Sequence, residues 1–207
     1  MTRADGNVLI TAGSRRVPLV GAFRSALQSL GLDGRIVVVD VNPLSPAVHV
    51  ADRAYLVPMA DDPRYLDSLI DVCRTERITL LVPTIDDELE LITRAADRFR
   101  RIGTRVAVSP AETIRICRDK WATSRHLRAH GVAAAVTYLP SEVPTPATFP
   151  LFVKPRVGRG GVGAFPIRNP RELAFFLDYV ENPVVQQYLD GREYTIDMLC
   201  DFSGRPV

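Results

Sequence analysis

Residues 152–163 read FVKPRVGRGGVG and carry the strongest chemical signal in the sequence. Lys154 ends an apolar segment, and four glycines follow it within nine residues. Glycine lets the backbone approach a ligand and point successive amides at phosphate oxygens, and a lysine adds a compact positive charge. The stretch is not a Walker A loop, because the lysine precedes the glycines and no GK[ST] is present. It predicts a strand, a glycine-rich phosphate-binding turn and a second strand, with a plain hairpin turn as the alternative; the glycines are Gly158, Gly160, Gly161 and Gly163.

A second segment, residues 184–197 (VVQQYLDGREYTID), reads as a strand that runs into a short connection. The end of that strand, at Gln186, Gln187 and Tyr188, exposes backbone N–H and C=O groups that could pair with the edge of adenine. Glu193 lies beyond it and could accept hydrogen bonds from both ribose hydroxyls. The alternative for Glu193 is an ordinary surface glutamate.

The first 110 residues alternate short apolar runs with amphipathic stretches. This alternation predicts a parallel sheet covered by helices on both faces. The predicted strands are 7–11, 35–41, 78–82 and 105–108, and the predicted helices are 17–30, one opening at Asp62-Pro63, and 86–101.

After Pro110 the pattern changes to a mixture of helices and strands. A Pro-rich loop or linker is expected at 140–150. The other predicted elements are a helix over 119–130, strands at 151–155, 164–167, 184–189 and 193–200, and a helix that opens at Asn169-Pro170.

The composition is that of an ordinary globular protein. The chain has 207 residues, of which 46 % are hydrophobic and 24 % charged, and its net charge is +2. Such a charge gives no reason to expect nucleic acid or a membrane surface as partner. No apolar run is long enough to cross a bilayer or to act as a signal peptide, so a cytoplasmic protein is expected. Three cysteines without a CxxC spacing indicate neither disulfides nor a zinc site, and no metal ligand is predicted.

The two lysines of the chain attract attention because 24 of its 26 basic residues are arginine. Lys154 lies in the glycine-rich stretch, and Lys120 lies in the Arg-Asp-Lys segment at 118–120.

These segments together resemble the ATP-grasp superfamily, in the branch that includes the carbamoyl-phosphate synthase large subunit. The resemblance implies an α/β Rossmann-like pre-ATP-grasp domain with a parallel sheet over residues 1–112. It further implies an α+β ATP-grasp N-terminal subdomain over 113–190 and an incomplete C-terminal subdomain over 191–207. The positions that match the nucleotide-binding positions of the family are Lys120, Lys154, Arg156, Gly158, Gly160, Gly161, Gly163, Gln186, Gln187, Tyr188 and Glu193.

The resemblance also implies an activity. Enzymes of this type use ATP to activate a carboxylate as an acyl phosphate, which an amine or similar nucleophile then attacks. ATP and Mg²⁺ are the expected cofactors, with the Mg²⁺ ligands expected in a C-terminal half that this sequence lacks. The expected partners are ATP and a small-molecule carboxylate. The chain alone is expected to be an inactive fragment whose exposed half-domain favours self-association, for example as a homodimer. No catalytic residue is assigned.

Two weaker candidate sites lie in the first domain. Ser14, Arg15 and Arg16 follow the first strand, where open α/β sheets bind ligands, and the arginines could hold an anionic substrate. Glu88 stands at a strand–helix junction and is a candidate for the substrate side. The alternatives are solvated surface charge for the arginines, and helix capping for Glu88.

Two other functions stay open. One is a non-catalytic nucleotide-binding module. The other is an NAD-dependent dehydrogenase, suggested by Asp40 at the end of the second strand, where an acid would meet a ribose. Only one glycine of a GxGxxG motif, Gly13, is present in the first turn.

Overall fold

A computed structural model describes residues 6–158 and 160–207. The chain divides into two compact units, residues 1–111 and 112–207, which are described separately below.

The N-terminal unit is built on a five-stranded sheet whose strand pairs are all parallel. The strands are β1 (Val8–Ile10), β2 (Ile36–Asp40), β3 (Arg53–Leu56), β4 (Leu80–Val82) and β5 (Arg105–Val106). Their order is β3-β2-β1-β4-β5, so the chain winds outwards from β1 in both directions. The parallel sheet predicted from strand–helix alternation is confirmed.

Helices cover both faces of this sheet. They are α1 (Val17–Ser29), α2 (Pro46–Val50), α3 (Tyr65–Thr75), α4 (Asp86–Arg94) and α5 (Ala96–Arg101). Successive residues of a strand point to opposite faces, and β1 accordingly contributes to two cores. Val8 and Ile10 pack with residues of α1 and α2, whereas Leu9 packs with residues of α3, α4 and α5. Burial on both faces explains the nearly continuous apolar run of β2.

Several predicted boundaries in this unit were wrong. Strand β3 was missed because it is an exposed edge strand without an apolar run, and the short α2 was missed with it. Helix α3 begins at Tyr65 rather than at Asp62-Pro63, because the Asp62 carboxylate accepts from the Arg64 amide at 2.8 Å and closes a turn before the helix. The predicted helix 86–101 is broken at Ala95 into α4 and α5.

The C-terminal unit holds a four-stranded antiparallel sheet in the order β6-β9-β7-β8. The strands are β6 (Thr137–Tyr138), β7 (Leu151–Pro155), β8 (Phe165–Ile167) and β9 (Pro183–Gln187). The helices are α6 (Ala111–Arg118), which begins at the unit boundary, α7 (Lys120–Ala129), α8 (Pro170–Tyr179) and a 3-10 turn at Pro140–Glu142. Strand β6 and helix α6 were not predicted, because β6 has only two residues and α6 has a mostly exposed surface.

In this unit the sequence signals for helix ends correctly indicated the start of α8 and the end of α7. Asn169 caps α8 as predicted, since its side chain accepts from the Glu172 amide at 2.9 Å, and Pro170 takes the first helical position. Gly131 follows α7 with φ +73°, a left-handed conformation that suits glycine after a helix.

The predicted strand over residues 193–200 was wrong. Residues 188–199 are described without helix or strand, and Cys200 forms only an isolated bridge to Pro206. The alternating apolar side chains of this stretch, such as Tyr194 and Ile196, are largely exposed.

No helix within residues 6–158 and 160–207 has both the length and the apolar character that crossing a bilayer requires.

Candidate nucleotide-binding site

A cleft of about 600 Å³ opens in the C-terminal unit beside the glycine-rich loop. Its walls come from the first residue of α7, strand β7, the loop that follows β7, and the end of β9. The lining residues are Lys120, Phe152, Lys154, Pro155, Gly158, Gly160, Gly161, Val162, Ala164, Gln186, Gln187, Leu189 and Glu193. The cleft thus brings together two segments of chain that the sequence singled out separately.

Both lysines of the chain face this cleft. Lys120 Nζ donates to the carbonyl of Gly158 at 3.0 Å, and Lys154 Nζ donates to Gln186 Oε1 at 2.6 Å. Burial lowers the pKa of both ammonium groups, and the positive charge of Lys120 lowers that of Lys154 further. Two cations held close together and partly out of water are an arrangement that an anionic ligand would stabilise.

Asp119 and Arg156 fix the spacing between the two lysine-bearing elements. Asp119 caps α7, because its Oδ1 accepts from the amides of Trp121 and Ala122, both at 3.0 Å. Its Oδ2 accepts from Arg156 Nε at 2.8 Å and Nη2 at 2.6 Å, and the Lys120 amide donates to the Arg156 carbonyl at 3.1 Å. Burial would raise the pKa of the Asp119 carboxyl, but the bonds from Arg156 and Ala122 outweigh it and hold this pKa below its ordinary value.

Arg156 therefore has a different environment from the one expected of a phosphate ligand. Its guanidinium is paired with Asp119 and lies 5.2 Å from the ring centroid of Trp121. It is not among the described residues that line the cleft. These contacts hold the Arg156 guanidinium against the start of α7.

The glycine-rich loop has a backbone that only glycine adopts easily. Gly160, Gly161 and Gly163 have φ of +64°, +69° and +71°, and Gly158 has φ of +145°. Gly163 is not described as lining the cleft, and a Cβ there would come within 3.1 Å of Pro155. Arg159, the other arginine of the FVKPRVGRGGVG stretch, lies outside the described residues.

The proposed adenine and ribose positions are only partly in the cleft. Gln186, Gln187 and Glu193 line it, whereas Tyr188 stacks on Phe152 with ring centroids 5.7 Å apart. The Gln187 amide donates to the Val136 carbonyl at 2.8 Å, so this N–H is already used inside the sheet.

The side chains of the cleft suit a nucleotide polyphosphate better than a metal ion. Two ammonium groups and the amides of a glycine loop form a donor set for phosphate oxygens. Within the described parts of the chain, no three His, Cys, Asp or Glu residues are grouped so that they could hold a metal ion.

In the N-terminal unit, the first turn is held by its own hydrogen bonds. Arg16 Nη2 donates to the Thr84 carbonyl at 2.7 Å and its Nη1 to the Ala12 carbonyl at 3.2 Å. The Ser14 amide donates to Asp40 Oδ2 at 2.6 Å. Arg15 is exposed. Arg16 therefore spans the gap between the loops after β1 and β4, and of the three candidates Arg15 is the one that faces solvent.

Glu88 has the contacts of a buried cap. It is fully buried, and Oε1 accepts from Thr11 Oγ1 at 2.6 Å and from the Thr84 amide at 2.8 Å. Oε1 also accepts from the Ile85 amide at the start of α4, and Oε2 accepts from the Tyr65 hydroxyl. These contacts favour capping over substrate binding.

Asp40 does not present a free carboxylate for a ribose. Its Oδ2 accepts from the Ser14 amide, and its Oδ1 accepts from the Asn42 amide at 2.9 Å. Gly13 is closely packed, since a Cβ there would lie 2.5 Å from Val38 Cγ1. Packing explains this glycine without a dinucleotide.

Two residues at the site were not predicted from the sequence. Asp119 could have been assigned as an N-cap, because an aspartate directly before a helix is a common start signal. Thr137, which contacts Gln186, lies in a two-residue strand and gives no signal of its own.

Comparisons with known proteins agree with this geometry. Residues 8–107 match the family described as "PylC-like, N-terminal domain", and residues 117–206 match the ATP-grasp domain family. The 3-methyl-D-ornithine–L-lysine ligase of Methanosarcina acetivorans is 24% identical over 86% of this chain and 45% of its own length. The arginine-specific carbamoyl phosphate synthase large chain of Bacillus subtilis is 23% identical over 84% of this chain and 17% of its own length. The chain thus spans less than half the length of these relatives.

A solved structure shares the fold. The biotin carboxylase domain of Hydrogenobacter thermophilus 2-oxoglutarate carboxylase, solved with MgADP, ADP and bicarbonate, superposes with a TM-score of 0.68. It is 18% identical, and the match covers 88% of this chain and 44% of that one. Because the two family models together cover residues 8–107 and 117–206, the chain belongs to the ATP-grasp superfamily.

Proposed function

We propose that the C-terminal unit binds the phosphates of ATP between Lys120, Lys154 and the glycine-rich loop. The observation that carries this proposal is the position of both lysines of the chain on one cleft. Each ammonium already donates to an acceptor on the cleft wall and has further N–H donors for phosphate oxygens. Gln186, Gln187 and Glu193 are proposed to contact the nucleoside.

The reaction of the whole protein is proposed to be ATP-dependent ligation of a small carboxylate. A carboxylate oxygen attacks the γ-phosphorus of ATP and ADP leaves. An amine or similar nucleophile then attacks the acyl carbon, phosphate leaves, and the proton lost by the nucleophile passes to the departing phosphate. The two lysines neutralise the phosphates, and the loop at 158–163 limits the access of water to the acyl phosphate. A divalent cation bound with ATP would neutralise further phosphate charge, and no metal ligand is assigned among the described residues.

Lys154→Met tests the nucleotide site. Methionine matches the lysine side chain as far as Cε and lacks the ammonium group. We expect the dissociation constant for ATP to rise about 10- to 100-fold, the size that loss of one hydrogen bond to a charged group implies. Arg128→Met on the exposed side of α7 is the matched control, since it removes one positive charge away from the cleft. Isothermal titration calorimetry measures both, and equal affinities for Lys154→Met and wild type would contradict the proposal.

The acyl phosphate is tested separately by trapping. ADP release by the whole protein is followed with candidate carboxylates, and hydroxylamine is added to capture an acyl phosphate as a hydroxamate. ADP release without hydroxamate would contradict this intermediate. ATP binding without ADP release for any acceptor would favour a non-catalytic nucleotide-binding module.

A further inference from the structure

A row of three side chains crosses the sheet beneath the cleft. Thr137 of β6 is paired with Gln186 of β9, and Gln186 is paired in turn with Phe152 of β7. Lys154 follows Phe152 by two residues and therefore points to the same face of the sheet. Thr137 is buried, and Lys154 and Gln186 are half-buried.

Hydrogen bonds join this row, and each side chain donates to the next one, from Lys154 towards Thr137. Lys154 Nζ donates to Gln186 Oε1 at 2.6 Å, and Gln186 Nε2 donates to Thr137 Oγ1 at 2.7 Å. The Thr137 hydroxyl donates to the Ala135 carbonyl at 3.2 Å. An ammonium can only donate, so the amide oxygen must face Lys154 and the amide nitrogen must face Thr137. The hydroxyl proton is directed to Ala135, which leaves an oxygen lone pair for Gln186.

This chain of bonds has a consequence for Lys154. A lysine side chain is long and flexible, and Lys120 repels its ammonium group. A fixed acceptor at Gln186 Oε1 limits where that ammonium can lie. Gln186 is itself fixed only if its nitrogen has a partner at the other end, and Thr137 provides one. The geometry points to Thr137 as a positioning residue for nucleotide binding, which acts through Gln186 to hold the Lys154 ammonium at the cleft. This inference rests on the proposed nucleotide site.

The first test needs no nucleotide. Because the chain has only two lysines, NMR of lysine-labelled protein gives one side-chain signal for each. Thr137→Val removes the hydroxyl and keeps the shape, whereas Thr137→Ser keeps the hydroxyl. We expect Thr137→Val to shift the Lys154 signal and to lower its titration midpoint, because the charged ammonium loses a fixed acceptor. Thr137→Ser should titrate as wild type, and the Lys120 signal should change less than that of Lys154 in Thr137→Val. Identical Lys154 titrations in Thr137→Val and wild type would overturn the positioning role.

The second test measures ATP affinity. Thr137→Val should raise the dissociation constant about three- to tenfold, and Thr137→Ser should leave it near that of wild type. In a Lys154→Met background, Thr137→Val should have no further effect, since a double-mutant cycle detects action through the lysine. If Thr137→Val raises the dissociation constant by the same factor in the Lys154→Met background as in the wild-type chain, the cause is general damage to the sheet, and the inference is overturned.

The outcomes separate the two proposals. A wild-type chain that does not bind ATP overturns the proposed function and the positioning role together. ATP binding that Lys154→Met weakens and Thr137→Val leaves unchanged overturns the positioning role alone. If Thr137→Val does not fold, as judged by Trp121 fluorescence, Thr137→Ala replaces it, because alanine also lacks the hydroxyl.

Discussion

Asp119→Ala should destabilise the C-terminal unit by about 2 to 3 kcal/mol. Loss of an N-cap costs about 1 kcal/mol, and here the cap accepts from two backbone amides, at Trp121 and Ala122. Loss of the paired hydrogen bonds from Arg156 costs about 1.5 kcal/mol more. The second value is not reduced strongly by solvent, since the side chains of Asp119 and Arg156 are only 18% and 29% exposed.

Asp119→Asn separates the two contributions. An asparagine oxygen can still cap the helix, but the charge that holds Arg156 is lost. We therefore expect a loss of about 1 to 1.5 kcal/mol, about half that of the alanine variant.

The single tryptophan of the chain makes the assay specific to this unit. The Trp121 amide donates to the capping carboxylate of Asp119, so Trp121 fluorescence in a urea titration reports unfolding around the site. We expect the free energy of unfolding to be highest for wild type, lower for Asp119→Asn and lowest for Asp119→Ala. Equal values for the two variants, or values within 0.3 kcal/mol of wild type (about the additivity error of such measurements), would refute the reasoning.

Two further predictions concern charge. Because burial and Lys120 hold the Lys154 pKa below its ordinary value in the free chain, while bound phosphate favours the protonated form, ATP affinity should fall as pH rises through that lowered pKa. Calorimetry at a series of pH values from neutral up to the ordinary lysine pKa of about 10.4 should show this fall for wild type and a weaker one for Lys154→Met; the same slope in both would contradict it. Glu88→Gln should destabilise the N-terminal unit by about 1 to 3 kcal/mol, because an amide N–H₂ would face donors that the carboxylate now satisfies. Hydrogen exchange of β1 and β4 amides measures it against the exposed control Asp86→Asn, and equal protection in both variants would show that Glu88 does not hold this junction.

The predictable part of the fold is the part in which local pattern and tertiary packing agree. Strand β2 is apolar because both of its faces are covered, and β7 has buried residues at alternate positions because one of its faces is covered. The predicted bounds of these two strands, 35–41 and 151–155, agree closely with the observed ones. Strand β3 was lost because an exposed edge has no such run, and β6 because two residues form a strand only when β9 lies beside them. A pairing between Thr137 and Gln186 is a property of the folded chain that periodicity does not contain.

The candidate site, like the fold, has features that the local sequence predicts and features that depend on packing. The scarcity of lysine and the glycine-rich stretch identified the cleft from the sequence. They did not show that Arg156 is paired with Asp119 across 37 residues of chain and does not line the cleft. Charge type can be read from a sequence, whereas the partner of each charge depends on packing.

The strand order of the C-terminal unit has a consequence for how the protein folds. β7 and β8 are neighbours in sequence and form a local hairpin, whereas β6 must find β9 across 49 residues. Pairing between distant segments has a larger loop-closure cost, so it tends to come late in folding. The cleft is lined by β7 and β9, which are joined across 32 residues at Lys154 and Gln186, so it is complete only after this non-local pairing has formed. ATP bound at the proposed site would stabilise the completed unit over its partly folded forms by mass action.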